Sequence, residues 1–253
     1  MAERRLPKPK VTGSRPVFRS ILLPTARTFL LYLPNTGGAF VLLTAIRRIA
    51  EHHKTFATSG NASERRLDVP HTFWITPSGV GWSDIGLADL VMLSVQTGEV
   101  VSGTLRPSTE WRAHQAIYST HPWVGGIVHL HSLYATILSV IGIPVLPVHY
   151  QMARVGDQVP VVPYQTFGTT ALARRVAETI ASDTRAVLIE NHGLFAVGDS
   201  ADDALRAADE VEWTAEVQYR AMLVKSPRVL TRDELNEARD AFRAYGQNPT
   251  SIS

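Results

Sequence analysis

The chain has 253 residues, 45% of them hydrophobic and 19% charged, with 17 Gly and 15 Pro, which is enough length and apolar content for one large domain with a well-buried core. It contains no Cys, which excludes disulfide staples, a thiol nucleophile, iron–sulfur ligation and Cys-based zinc sites, and leaves nine His and the carboxylates as metal ligands. The formal net charge is +2, and the basic excess sits at the start, where Arg4, Arg5, Lys8, Lys10, Arg15 and Arg19 face only Glu3; the slightly acidic remainder excludes a dedicated nucleic-acid binder.

Pro7, Pro9 and Pro16, with no apolar period around them, make residues 1–35 a basic, poorly ordered extension ahead of a folded domain at 36–253. Thr28 to Ile46 carries no charge, but Pro34, Asn35, Gly37 and Gly38 divide it into a short apolar segment, a turn and a helix start. No membrane span and a cytoplasmic location are therefore expected. Phe40, Leu43, Ile46 and Ile49, with Arg47, Arg48 and Glu51 between them, predict a helix over Ala39–His53.

From 56 to 103 the pattern changes to strands joined by tight turns: Phe73–Thr76, the Pro77-Ser78-Gly79 turn, then Leu90–Val95 before Thr97-Gly98. A helix is predicted over 108–119, with Pro107 and Ser108 at its start and Glu110 in its first turn, where a carboxylate suits the helix dipole. Gly126–His131 reads as a strand, Leu133–Ile141 as a buried helix and 159–166 as extended chain around Pro160 and Pro163. Thr169–Ser182 has the period of an amphipathic helix, and Ala186–Glu190 is a buried strand ending at Asn191-His192-Gly193. A long helix from Ala201 to about Val224 follows, and Thr231 with Glu234 forms a capping box for a last helix reaching Tyr245.

Chemistry concentrates on histidine. His129 and His131, spaced i, i+2 on a strand, present both imidazoles on one face. His192 occupies a turn in which Gly193 permits a backbone angle that other residues resist. Three imidazoles and the carboxylate of Glu110 describe an open divalent-metal site, while the His-x-His pattern also suits two hydrogen-bonded core histidines. His52, His53, His71, His114, His121 and His149 read as surface or packing residues, His149 set apart by its neighbour Tyr150. Gly60-Asn61, Ser78-Gly79 and Ser108-Thr109 offer backbone and hydroxyl donors that suit either an anion or ordinary turn and cap chemistry.

These motifs stand in a specific order. Gly60-Asn61-Ala62-Ser63, Ile75-Thr76-Pro77-Ser78-Gly79, Pro107-Ser108-Thr109-Glu110-Trp111-Arg112-x-His114, Val128-His129-x-His131, His149-Tyr150, Pro163-Tyr164-x-Thr166-Phe167-Gly168-Thr169 and Asn191-His192-Gly193-Leu194 together resemble the class II aldolase/adducin family over about residues 38–245. The likeness is greatest to its members acting on fuculose 1-phosphate. It implies a three-layer α/β/α fold around a mixed, mainly antiparallel sheet, assembled as a C4 homotetramer with active sites between subunits. It further implies Zn²⁺, with Mn²⁺ or Co²⁺ as alternatives, held by His129, His131 and His192. Glu110 would complete the coordination in the empty enzyme and serve as general acid/base once substrate displaces it. Thr58, Asn61, Ser78, Gly79, Ser108 and Thr109 match the phosphate pocket, with Ser-Thr where the family has Ser-Ser. Tyr150 matches a tyrosine lent by the adjacent subunit that protonates the aldehyde oxygen, and Tyr245 a C-terminal tyrosine that closes over the substrate.

The function so implied is zinc-dependent cleavage of a ketose 1-phosphate, either fuculose 1-phosphate or a 5-deoxy- or 5-methylthio-ribulose 1-phosphate, into dihydroxyacetone phosphate and an aldehyde. The same metal site also serves pentulose-phosphate 4-epimerases, methylthioribulose-phosphate dehydratases and phospho-keto-acid decarboxylases. The epimerases normally carry aspartate where Glu110 stands. A non-catalytic adducin-like domain would have lost the ligands that this chain retains. The expected partners are a phosphorylated sugar and further copies of the chain, not nucleic acid or membrane.

Overall fold

The computed structural model describes residues 37–52, 58–66 and 68–245, so the expected extension over 1–35 lies outside the described residues. Helix α1 (Gly37–His52) leads into β1 (Asn61–Arg65), β2 (Thr72–Ile75), β3 (Val91–Ser94) and β4 (Val100–Ser102). Helix α2 (Trp111–Thr120), strand β5 (Gly126–Leu130) and helix α3 (Leu133–Val140) follow. The chain continues through β6 (Val161–Val162), α4 (Thr170–Thr179), β7 (Ala186–Ile189), β8 (Gly193–Gly198), α5 (Ala201–Met222) and α6 (Arg232–Arg243).

Among the described residues the strands form one sheet in the order β4-β3-β2-β1-β5-β8-β7-β6. It is mixed and mainly antiparallel, because β6 and β7 run parallel while the other pairs are antiparallel. Side chains alternate between its faces. Ala62, Val128, Leu130, Leu194 and Ala196 point into one core with Leu42, Ile46 and Ile49 of α1, Leu138 of α3 and Leu205 and Val211 of α5. Phe73, Ile75, Ile127, Phe195 and Val197 point into the other, against Ile117 and Tyr118 of α2 and Leu172 and Val176 of α4. The fold is thus three-layered α/β/α. A sheet packed on both faces has to be read through continuous apolar runs, and β5, β7 and β8 are buried at every residue.

The predicted elements recur with shifted ends, and three strands, β1, β4 and β8, are additional to them. Helix α2 starts at Trp111, not at 108, because Glu110 takes the N-cap position with its side chain turned away from the helix amides. The Thr231–Glu234 box is present: Thr231 Oγ1 accepts from Glu234 N at 3.3 Å and Glu234 Oε2 from Thr231 N at 2.8 Å. Side chains of α5 fix the chain around the site. Glu212 accepts from the amides of Tyr134 and Ala135 at 2.9 and 2.8 Å, satisfying the start of α3 just after His131. Among the described residues no helix is long and apolar enough to cross a membrane.

Candidate active site

Strand β5 lies between β1 and β8, and its register sets Asn61 and Phe195 on either side of His129. His129 is fully buried, its ring stacked on Phe195 with centroids 4.2 Å apart. Its Nδ1–H donates to the Leu194 carbonyl at 2.9 Å, so Nε2 is the ring nitrogen turned toward the site. His131 follows just beyond β5 on the same face. His192 comes from the turn between β7 and β8.

Gly193 does not serve through its backbone angle: the left-handed residue of this turn is Asn191, with φ of 53°. Asparagine tolerates that conformation. Gly193 is required for space, since a Cβ there would lie 2.6 Å from the Leu130 carbonyl oxygen and 2.8 Å from His131 Cδ2. The hairpin can approach the histidine only without a side chain at this position.

The ligand atoms of His129, His131 and His192 all lie within 4.8 Å of one another. His131 Nε2 is 3.1 Å from His129 Nε2, close to the roughly 3.4 Å separating two ligands about 2.1 Å from a tetrahedral ion. Glu110 faces them, with Oε2 at 3.0 Å from His129 Nε2 and Oε1 at 3.5 Å from His192 Nε2. Oε1 is buried and completes no hydrogen bond among the described residues. The cluster is rich in lone pairs and poor in protons, which suits a cation. Burial, reinforced by charge on the neighbouring imidazoles, lowers His131 to about 3 and His192 to about 4, so both are unprotonated at neutral pH. Burial would raise Glu110, but His129, His192 and the Asn61 amide outweigh it and hold the carboxyl well below its ordinary range.

Beside the histidines is a cavity of about 390 Å³. All six residues matched to a phosphate pocket line it, namely Thr58, Asn61, Ser78, Gly79, Ser108 and Thr109, together with Glu110, His131 and His192. No Lys or Arg is among the described residues lining it, so its donors are amides and hydroxyls. The Asn61 side chain is largely committed: Nδ2 donates to Glu110 Oε2 at 3.0 Å and Oδ1 lies 2.5 Å from His114 Nε2. One Nδ2–H remains for a ligand.

Tyr150 and Tyr245 do not line this cavity. Tyr150, half exposed, opens a short 3₁₀ turn (Tyr150–Arg154) and stacks on Phe242 of α6 at 5.7 Å, and Tyr245 meets the edge of Phe242 at 6.5 Å. The aromatic residues lining the cavity are instead Tyr164 and Phe167, both exposed, whose functional use the sequence did not disclose. His114, expected as a surface or packing residue, is fully buried with both ring nitrogens engaged. The available signal was its position one helical turn after Glu110, on the same face of α2.

Residues 41–219 match the family model described as class II aldolase and adducin N-terminal domain. The 5-methylthioribulose-1-phosphate/5-deoxyribulose-1-phosphate aldolase of Rhodospirillum rubrum is 34% identical over 82% of this chain and 91% of its own. An L-fuculose phosphate aldolase of Escherichia coli is 33% identical over 75% of this chain and 86% of its own. A solved L-fuculose 1-phosphate aldolase superposes with a TM-score of 0.76 at 31% identity, covering 83% of this chain and 98% of the other.

Proposed function

This chain belongs to the class II aldolase and adducin family, and from that premise we propose that it is a zinc-dependent aldolase cleaving a ketose 1-phosphate between C3 and C4 into dihydroxyacetone phosphate and an aldehyde. The observation that carries the reading is the convergence of three imidazoles and an ionised carboxylate beside a cavity that no described Lys or Arg lines. Relatives named as methylthioribulose-, deoxyribulose- and fuculose-phosphate aldolases support the substrate class. The exposed apolar wall of Tyr164 and Phe167 suits the deoxygenated end of such sugars.

His129, His131 and His192, with Glu110 as a fourth ligand before substrate arrives, would hold the ion. Zinc suits the borderline nitrogen donors, and Mn²⁺ or Co²⁺ fits the same set. When bound, the ion supplies Lewis acidity for the negative charge that builds on the substrate oxygens as the bond breaks.

The protein's own groups account for the rest. Thr58, Ser78, Ser108, Thr109 and the free Asn61 N–H hold the phosphate by directed hydrogen bonds at the residues preceding α2, where helix amides favour an anion. In cleavage the C4 hydroxyl gives up its proton, the C3–C4 electron pair stays on C3, and the aldehyde leaves. Glu110 takes up a proton, matching the one released from the C4 hydroxyl, and delivers it to C3; in condensation it removes one. Tyr150 exchanges the proton on the aldehyde oxygen from an adjacent subunit of a C4 tetramer, and Tyr245 covers the substrate. The exposed Tyr150–Phe242–Tyr245 group, lying outside its own chain's cavity, supports such a loan between copies.

Exchange of the C3 proton of dihydroxyacetone phosphate in D₂O, followed by proton NMR, tests this reading without knowledge of the aldehyde. Metal-dependent loss of the signal is the expected result, and no exchange by metal-loaded protein contradicts it.

A further inference from the structure

Behind Glu110 runs a buried line of polar groups, of which the proposed chemistry uses only Asn61. Asn61 Nδ2 donates to Glu110 Oε2 at 3.0 Å, Asn61 Oδ1 meets His114 Nε2 at 2.5 Å, His114 Nδ1 meets Ser63 Oγ at 2.6 Å, and Ser63 Oγ meets the Tyr118 hydroxyl at 2.8 Å. Asn61, Ser63, His114 and Tyr118 are all buried, and His114 is sealed against the Phe195 ring.

The donor and acceptor inventory of these groups allows one direction only. A carboxylate accepts, so the amide nitrogen of Asn61 must face Glu110 and its carbonyl must face His114. The fully buried His114 must then carry its proton on Nε2. Nδ1 is left bare and accepts from Ser63, whose oxygen in turn accepts from Tyr118, the hydroxyl of which also lies 3.4 Å from the Gly125 carbonyl oxygen. Reversing Asn61 would set two acceptors against each other. We propose that His114 is a positioning residue: by donating from Nε2 to Asn61 it locks the amide that orients Glu110 for proton transfer at C3. The inference rests on the role of Glu110 proposed above.

A purely structural histidine, present to satisfy Ser63 in the core, differs from this one in a measurable way. In His114→Gln the amide nitrogen can reach the place of Nε2 and keep the bond to Asn61. In His114→Asn the shorter side chain reaches the place of Nδ1 and keeps only the bond to Ser63. Positioning through Asn61 predicts that the Gln variant retains kcat within roughly fivefold, whereas the Asn variant loses about 100-fold in kcat with little change in KM and the same metal content. A structural role predicts the reverse order. An Asn variant as active as the Gln variant, alongside an inactive Glu110→Gln, overturns this inference alone; turnover by Glu110→Gln removes the role of Glu110 and this inference with it. Should either His114 variant fail to fold, ¹⁵N-imidazole NMR of the unaltered protein decides the point: a protonated Nε2 and bare Nδ1 on His114 are required, and the opposite tautomer overturns the proposal.

Discussion

Asn61 sits directly opposite His129 in the β1–β5 pair, and its amide donates to the Glu110 oxygen that lies 3.0 Å from His129 Nε2. One cross-strand register therefore brings together an imidazole, a carboxylate and the group that orients it.

Glu110→Gln replaces the proposed proton carrier with a group of the same shape. Turnover should fall by about 10²- to 10⁴-fold, the usual worth of a positioned acid or base, while the circular dichroism spectrum is kept. Wild-type turnover in this variant removes Glu110 from the chemistry.

Gly193→Ala forces a methyl group to within 2.6 Å of the Leu130 carbonyl and 2.8 Å of His131. The β5–β8 edge must open to admit it, at a cost of about 1–3 kcal/mol, and His131 must move. Lower Tm together with weaker metal binding is expected by calorimetry; unchanged metal affinity would mean that this hairpin does not set the ligand geometry.

Tyr150→Phe should slow cleavage of the ketose phosphate more than exchange of the C3 proton of dihydroxyacetone phosphate, since only cleavage moves a proton on the aldehyde oxygen. If sites draw on two copies as proposed, a mixed assembly of Tyr150→Phe and Glu110→Gln chains should recover more cleavage activity than either variant has alone. Failure of the mixed assembly to recover turnover would place both groups in one subunit.

Acid should destabilise the metal-free protein through its buried histidines. His114, pushed down by burial to about 3, has an ordinary value of 6.5, so below pH 6.5 the unfolded chain binds a proton that the folded one refuses. The stability is fully present above pH 6.5 and declines by about 1.4 kcal/mol per pH unit as pH falls toward 3. His131 and His192 act in the same direction. Urea unfolding of His114→Gln should show a shallower decline over that window than the unaltered chain; an identical slope would mean that His114 protonates freely when folded.

The helices were legible because apolar residues recur at helical spacing, as in Leu43, Ile46 and Ile49 of α1, and because Thr231 and Glu234 make a recognisable cap. Strand β1 was not. Its sequence, Asn-Ala-Ser-Glu-Arg, has no strand character, yet it lies mid-sheet because Asn61 and Ser63 find buried partners and Glu64 accepts from the Ala201 amide at the start of α5. Polar satisfaction across 49 or more positions leaves no local pattern. For the same reason His129, His131 and His192 could be proposed as ligands from spacing and motif order, while the place of His114 behind Glu110 became visible only once β1 and α2 were packed.

The most direct test of zinc-dependent aldol cleavage is release of dihydroxyacetone phosphate from fuculose, 5-deoxyribulose and 5-methylthioribulose 1-phosphates, by coupled assay with and without a chelator. Release from at least one of them, abolished by the chelator and restored by Zn²⁺, is the predicted result. No release from any of the three by protein with metal bound would contradict it, and would favour the dehydratase, decarboxylase or epimerase chemistry that the same site can support.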